Sequence, residues 1–494
     1  MAAKSGKELS QPPTRKQVRA CIDDADQSFR ACWQTLTSLK KVEAEGLDGG
    51  ALLEFQPVLA SALFQLDDAY RRLVHHRGVL IQKKASHSAT RFRRRMRALD
   101  QDRKALRSAM RVGRNLGDAF AWTFYQFDQP LLELHFQHPA NPHTPPGIGG
   151  RGELEFIKHA RPRGFLMLYH GITNFLRIGD FSFFDPDTGR ISAIGELKSV
   201  LDESEQLMVR MHTISTNREK IPFVDPDRPV KKPENRDQIL VMEAQFKATL
   251  ERQMKKMAEV ARHSAPARKA DLTNAYHTEE LANFAKQLSL TGLAFEHVGK
   301  GGVLAGCCPF RGRSLSSRIY SKASQASILK RMARIRGRVS VIWDAALPDN
   351  SIFYSELDPG VSPGIPPLFW LASDIDFLER VYFMRAIVGT IYNPAHLFRA
   401  LRERGYEVRT EYPKTGTPKF EISQKVSNDI AEIKGVDFFL RLIQHRFMRE
   451  AKIIETFDTL LRQVQELGSG QAVRLELSLA HFFSLNPHRA SRAT

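Results

Sequence analysis

Three ionisable side chains that could act on one substrate lie within a short stretch of the sequence. They are Asp180, Glu196 and Lys198, and a single residue separates the last two. Two carboxylates offer the oxygen ligands that Mg²⁺ prefers, and a bound divalent ion polarises a phosphoryl oxygen and lowers the pKa of bound water. The Lys198 ammonium would orient that water and stabilise charge developing at phosphorus. These residue types therefore indicate metal-dependent phosphodiester hydrolysis.

A β-hairpin is the element that would bring these side chains together. Three segments have the residue types of strands: 165–169, 176–184 and 190–200. The sequence Asp-Pro-Asp-Thr-Gly at 185–189 is a strong tight-turn signal between the last two. Residues two apart in a strand project from the same face, so Glu196 and Lys198 point the same way. The hairpin places Asp180 on the neighbouring strand.

A fourth acidic residue comes from a helical segment upstream of the hairpin. In the sequence 152–157, Glu153 lies three and four residues before Phe156 and Ile157. It therefore shares a helix face with them and would point toward the sheet. Glu155 lies on another face, so Glu153 is the favoured assignment and Glu155 the alternative.

The order of a helix, a strand, a strand with Asp180 and a strand with Glu196 and Lys198 resembles the core of the PD-(D/E)xK nuclease superfamily. The resemblance is confined to about residues 128–263. It implies a mixed sheet flanked by helices. It also implies Mg²⁺ (or Mn²⁺) held by Asp180, Glu196 and Glu153, with Lys198 serving the attacking water.

Two further features belong to this resemblance. Gly179 precedes Asp180, where the superfamily's name has a proline. The family order continues with a helix after Lys198, which often helps to bind the substrate backbone. By proximity in the sequence, Thr173, Asn174 and Arg177 could line the same cleft.

The charge balance indicates the class of partner. Lys and Arg total 73 against 55 Asp and Glu, which gives a net charge of +18. Basic side chains that neutralise phosphates release condensed counterions, so we expect nucleic acid as the partner, with DNA preferred over RNA. Two basic clusters supply the candidate contacts: Arg93, Arg94 and Arg97, and then Arg331 and Arg334. A solvated helix face is the alternative interpretation of each cluster.

Other residue types exclude several classes. The four cysteines form no C-x-x-C pair, which argues against a zinc finger. His135, His138 and His143 lie in the Pro- and Gly-rich sequence 135–150, and we expect exposed loop residues rather than zinc ligands. The N-terminal residues lack the apolar core of a secretory signal, and no apolar run approaches the ~18 residues of a membrane span. We expect a cytoplasmic protein with no membrane partner.

The pattern of elements predicts an α+β protein with several domains. The chain divides into a disordered tail (1–13), a helical domain with a basic helix (14–127), the nuclease-like core (128–263), a linker (264–275) and an accessory α/β domain (276–494). Within these, 237–263, 395–404 and 436–467 have helical periodicity. The segments 340–343 and 406–412 have the residue types of strands.

The function that these features predict is that of an Mg²⁺-dependent nuclease acting on DNA, for which bacterial genome defence is one biological setting. Two alternatives remain open. A nucleic-acid-binding protein could keep the nuclease-like fold without catalysis. A helical scaffold could instead use its basic faces, or its flanking domains, to bind a protein partner or form a homo-oligomer.

Overall fold

The structure is a computed structural model. It describes residues 12–41, 49–125, 131–132, 135–136, 147–160, 167–185, 190–201, 207–215, 267–269, 275–309, 313–321, 340, 342–347, 350–360, 365–372, 374–411, 419–426, 429–433, 436–467 and 474–476. Several predicted segments lie outside these ranges, namely most of the tail (1–11), the turn at 186–189 and the helix at 237–263.

Three long helices pack against one another in the N-terminal region. They are α1 (Arg15–Lys41), α2 (Gly49–Gln82) and α3 (Ala89–Tyr125). Apolar side chains at helical spacing, such as Val18, Ile22 and Phe29, are fully buried on α1. At Gly113 the helix α3 approaches α1 so closely that a Cβ would lie 2.6 Å from the Phe29 ring. The predicted helical character of this region is confirmed for the residues described.

A four-stranded sheet follows the helix α4 (Ile148–Ala160). Its strands lie in chain order: β1 (Met167–Tyr169), β2 (Phe181–Asp185), β3 (Arg190–Leu201) and β4 (Leu207–Ser215). Strands β2 and β3 pair antiparallel, with a register shift between Phe183 and Phe184. The predicted hairpin is therefore formed.

The sheet departs from the sequence-based expectation in three ways. The strand expected at 176–184 begins only at Phe181, because the chain turns at Gly179 in the left-handed region (φ 67°). Residues 207–215 form β4 rather than a helix after Lys198, because this segment pairs antiparallel with β3 and Val209 packs against the core. All three strand pairings are antiparallel, whereas the resemblance implies a mixed sheet.

The sheet and the helices share one hydrophobic core. The rings of Phe124 on α3 and Phe184 on β2 meet edge to face at 5.2 Å. At Gly117 a Cβ would lie 2.0 Å from the carbonyl oxygen of Ile172, so α3 touches the backbone that follows β1. This core continues across the predicted boundary at 127/128 and includes Phe377 from the C-terminal region.

The C-terminal region mixes helices and strands, as the sequence predicts. Its strands are β5 (Ala267–Lys269), β6 (Leu293–Val298), β7 (Gly302–Cys307), β8 (Phe353–Glu356), β9 (Ile387–Tyr392), β10 (Glu407–Glu411), β11 (Lys419–Val426), β12 (Asp429–Ile433) and β13 (Arg474–Glu476). A four-stranded antiparallel sheet has the order β6-β7-β9-β8, a three-stranded sheet has the order β10-β11-β12, and β13 pairs parallel with β5.

The helices of this region are α5 (Thr278–Thr291), α6 (Leu315–Tyr320), α7 (Leu368–Leu371), α8 (Ile375–Tyr382), α9 (Ala395–Glu403), α10 (Val436–Arg446) and α11 (Glu450–Leu467). The helix predicted at 395–404 and the strand at 406–412 are confirmed. The helix predicted at 436–467 divides into α10 and α11, because Phe447 adopts a positive φ of 59°. The strand predicted at 340–343 is wrong for the residues described there, which form turns.

Candidate active site

Asp180 lies in a turn immediately before β2, and Gly179 makes that turn possible. A Cβ at Gly179 would lie 2.7 Å from Ile194 Cγ2 and 2.8 Å from the carbonyl oxygen of Gly195. Its φ of 67° is also a conformation that only glycine adopts readily. Proline has a φ near −65° and could not replace it. The backbone conformation at position 179 therefore requires glycine, and excludes the proline of the superfamily's name.

The hairpin places Asp180 beside residues 195–197 of β3. Phe181, the first residue of β2, pairs with Gly195 in an antiparallel ladder. The Asp180 amide donates to the carbonyl oxygen of Gly195 at 2.8 Å. The Asp180 carboxylate accepts a 2.7 Å hydrogen bond from the amide of Leu197, through Oδ2. Asp180 is thus bound to β3 through both its backbone and its side chain.

Glu196 and Lys198 lie on one face of β3 and form an ion pair. Lys198 Nζ is 2.6 Å from Glu196 Oε1. Leu197, between them, points to the other face and is buried in the core. The side chain of Lys198 is 40% exposed and that of Glu196 is 19% exposed, so this pair forms the solvent-facing edge of the cluster.

Glu153 reaches the sheet because α4 packs closely on β3. A Cβ at Gly152 would lie 1.8 Å from Ser199 Oγ, so only glycine permits this approach. Glu153 is 5% exposed and accepts a hydrogen bond from the Tyr169 hydroxyl. Glu155 instead pairs with Lys158 at 3.1 Å on the exposed side of the helix. Of the two acids considered from the sequence, Glu153 is the one that faces the sheet.

The pKa values show that these groups act on one another. Burial, and then the charge of Asp180, raise the pKa of Glu153 to about 8, against the hydrogen bond from Tyr169 and the charge of Lys198. Burial also raises the pKa of Asp180 to about 6, and the Leu197 amide opposes this shift. The charge of Glu196 raises both values and that of Lys198 lowers both. The structure therefore brings all four predicted side chains into one electrostatic cluster.

The donor chemistry of this cluster fits a hard cation, although the carboxylates do not converge as a ligand cage. Among the described residues, no three His, Cys, Asp or Glu side chains are arranged to hold a metal ion. Instead, Glu196 faces Lys198, and Glu153 faces Tyr169. Carboxylates that raise one another's pKa are nevertheless stabilised by a cation between them. Glu153, Asp180 and Glu196 are the residues that would hold it.

The structure describes only some of the basic residues that were predicted to contact nucleic acid. Arg93, Arg94 and Arg97 are exposed on α3. Arg331 and Arg334 lie outside the part of the chain that the structure describes.

Three loop residues before Asp180 stabilise the backbone instead of lining a cleft. Thr173 Oγ1 donates to the carbonyl oxygen of His170 and accepts from the amide of Leu176. Asn174 binds Asp118 through its backbone amide at 2.7 Å and its side-chain amide at 2.8 Å. Arg177 donates to the carbonyl oxygens of Asn174 and Phe136 and stacks on the Phe136 ring. The interpretation of these residues as cleft-lining is therefore not supported by their hydrogen bonds.

A buried polar network beside the site was missed by reasoning from the sequence. His135 is fully buried and bound to Tyr125, so its interpretation as an exposed loop residue is wrong. Ser182 and His170 are buried beside it and bound to each other. His138 and His143 lie outside the described residues. One signal was present in the sequence, a polar Ser182 within an apolar strand, but residues 47 positions apart cannot be paired by spacing alone.

Comparison with protein-family models, with curated proteins and with solved structures found no match for this chain. In the part of the chain that the structure describes, no helix is both long and apolar enough to cross a membrane. The molecule is an α+β protein with an N-terminal helical region and a compact cluster of carboxylates and one lysine on its first sheet.

Proposed function

We propose that this protein is a metal-dependent nuclease that hydrolyses phosphodiester bonds in DNA. One observation carries the proposal. The Asp180 carboxylate is bound to the Leu197 amide of β3, and on that strand the Lys198 ammonium lies 2.6 Å from the Glu196 carboxylate. Two acids and a lysine at the solvent-facing edge of a buried carboxylate cluster have the composition that metal-assisted phosphodiester hydrolysis requires.

The protein's own residues have distinct tasks in this proposal. Asp180 and Glu196 would hold Mg²⁺ or Mn²⁺, and Glu153 would assist from α4. When bound, the ion supplies charge that polarises a phosphoryl oxygen and lowers the pKa of a coordinated water. Asp180 needs little reorganisation, because hydrogen bonds to β3 already hold its backbone and one carboxylate oxygen.

Lys198 is the residue that reaches the substrate. Its side chain is more exposed than that of Glu196, and its flexible stem lets the ammonium exchange Glu196 for a phosphate oxygen or a water. Glu196, released from this ion pair, would then be available to hold the cation. The Glu196–Lys198 ion pair therefore offsets negative charge in the cluster until the cation and the substrate bind.

A basic face of α3 supports nucleic acid as the substrate. Arg93, Arg97, Lys104, Arg107 and Arg111 recur at steps of three, four or seven residues, which places them on one side of the helix, and all are exposed. This face extends about 27 Å at 1.5 Å per residue. The next turn carries Arg114, which is buried and whose charge lowers the pKa of Tyr169, the partner of Glu153. The basic face therefore leads toward the cluster.

Incubation of the purified protein with plasmid DNA and with RNA, in Mg²⁺, in Mn²⁺ and in EDTA, tests the proposal. We expect cleavage of DNA that EDTA abolishes and that Lys198→Ala lowers by about 10²–10³-fold, because a charge stabilising the transition state is lost. Lys158→Ala is the matched control, since Lys158 forms a similar Glu–Lys pair on the exposed side of α4. Activity that survives Lys198→Ala in correctly folded protein would refute the assignment.

A non-catalytic nucleic-acid-binding protein is the second candidate. It is favoured by the internal partners that each carboxylate already has, and by the lack of a converged ligand group among the described residues. This candidate predicts salt-sensitive DNA binding without cleavage, and no change in thermal stability when Mn²⁺ is added. Metal-dependent cleavage excludes it.

A further inference from the structure

We propose that His170 is a positioning residue that holds the Gly179–Asp180 peptide in the geometry the active site needs. The inference rests on the proposed function for its effect on cleavage, but the contact itself can be tested without activity. His170 follows β1 directly and is 3% exposed. Because it is buried, it does not itself touch the substrate.

His170 binds two consecutive carbonyl oxygens of the turn. Its backbone amide donates to the carbonyl oxygen of Asp180 at 2.8 Å. Its ring Nδ1 lies 3.0 Å from the carbonyl oxygen of Gly179. Because a carbonyl only accepts, Nδ1 must carry the proton. One residue thus fixes both peptide groups around Asp180, in a turn whose positive φ at Gly179 is strained for any other residue.

The tautomer of His170 follows from a chain of hydrogen bonds that begins at backbone donors. The amides of Arg177 and Ile178 donate to His135 Nδ1 at 2.9 and 3.1 Å. His135 must then carry its proton on Nε2, which lies 3.1 Å from the Tyr125 hydroxyl.

The remaining links continue in the same direction. Tyr125 donates to Ser182 Oγ, and Ser182 donates to His170 Nε2 at 2.5 Å. This leaves the His170 proton on Nδ1, directed at Gly179. Each donor in the series is therefore assigned from the hydrogen bond before it. The series starts from two backbone amides, which can only donate.

Burial makes this network rigid. Tyr125, His135 and Ser182 are fully buried, so a broken link would leave polar groups without water to replace it. The network connects α3 to the turn and sets the position of Asp180 relative to Glu196.

Two amide substitutions separate the clamp from the network. The clamp is the hydrogen bond from His170 Nδ1 to the carbonyl oxygen of Gly179, and the network reaches His170 Nε2 through Ser182. In His170→Asn the side-chain nitrogen falls near the position of ring Nδ1 and can still donate to Gly179. In His170→Gln it falls near Nε2 and cannot. We expect His170→Asn to keep kcat close to wild type. We expect His170→Gln to lower kcat by about 10–100-fold with KM little changed, as is usual for residues that orient metal ligands.

Hydrogen exchange of the amides at 178–182 in metal-free protein provides a readout that does not need activity. We expect the fastest exchange of the Asp180 amide in His170→Gln, and a smaller increase in His170→Asn, which keeps the hydrogen bond to Gly179 but loses the one from Ser182. Tyr125→Phe, which removes one oxygen from the network, should give an intermediate increase if either His170 variant fails to fold.

The outcomes distinguish this inference from the proposed function. Equal exchange at Asp180 in the Asn and Gln variants, or equal loss of kcat in both, overturns the positioning role. An inactive wild-type protein with the expected exchange pattern overturns the nuclease assignment and leaves the clamp in place.

Discussion

Two sheets of this molecule each bring a buried tyrosine hydroxyl to a glutamate, and they differ in what surrounds that pair. In the first sheet Tyr169, the last residue of β1, donates to Glu153 on α4. In the second Tyr392, the last residue of β9, donates to Glu450 at the start of α11 at 2.9 Å. Burial is the main cause of a raised pKa for both glutamates.

The two glutamates differ in whether other carboxylates raise their pKa. The next influences on Glu450 after burial, from Tyr392, His396 and His277, all lower its pKa. Around Glu153, the charges of Asp180 and Glu196 raise the pKa further. A buried Tyr–Glu pair is therefore an ordinary device for joining a strand to a helix. What distinguishes the first sheet is the gathering of like charges, which costs stability and which a bound cation would offset.

Activity is expected to show the largest difference between the two sheets. Glu196→Gln removes a carboxylate from the cluster and should lower DNA cleavage by about 10²–10³-fold or more. Glu450→Gln keeps an acceptor for Tyr392 and should leave cleavage near wild type. Rates are measured on plasmid in Mg²⁺. Equal loss of activity in Glu196→Gln and Glu450→Gln would contradict a special role of the first sheet in cleavage.

Divalent ions should stabilise the protein through the first sheet alone. At a Mn²⁺ concentration about 100 times its Kd, the free energy of unfolding should rise by about 2.7 kcal/mol. Asp180→Asn should abolish this increase, and Glu450→Gln should retain it. Urea unfolding with Mn²⁺ and with EDTA measures the effect, and a Mn²⁺ increase that persists in Asp180→Asn would place the ion elsewhere.

The pH dependence of stability sharpens the contrast. The pKa of Glu153 is about 8 in the folded protein against 4.5 ordinarily, so the folded state holds the proton more tightly. Its contribution to stability is full below pH 4.5 and is lost as pH rises toward 8. In EDTA, Tm should fall across this window, and Glu153→Gln should flatten the fall. An unchanged slope in that variant would contradict the raised pKa.

The smallest effect is expected from the basic face of α3. Replacing Arg93, Arg94 and Arg97 by Gln should weaken DNA binding for all sequences alike. The slope of log K against log salt should fall by about 0.9 for each phosphate that the variant no longer neutralises. Fluorescence anisotropy over a range of salt concentrations measures this. An unchanged slope would indicate that these arginines are only a solvated helix face.

Local patterns were enough to predict several elements of this fold. Alternation and the turn signal predicted the β2–β3 hairpin. Helical spacing predicted that Glu153 faces the sheet and that Glu155 does not. The same reasoning failed after Lys198, where β4 replaces a helix. It also failed at 176–180, because the turn at Gly179 is held by hydrogen bonds to residues outside the turn.

The amino-acid sequence by itself determined which residue types were available, their order and the period of each element. These properties are local, because side-chain direction in a helix or strand depends only on spacing. Only the tertiary structure decided that Asp180 is bound to β3 beside Glu196, that Glu153 is buried against Tyr169, and that His170 holds the turn. Those relations depend on register, on close approaches at Gly152 and Gly179 and on burial, all of which arise when distant segments pack together.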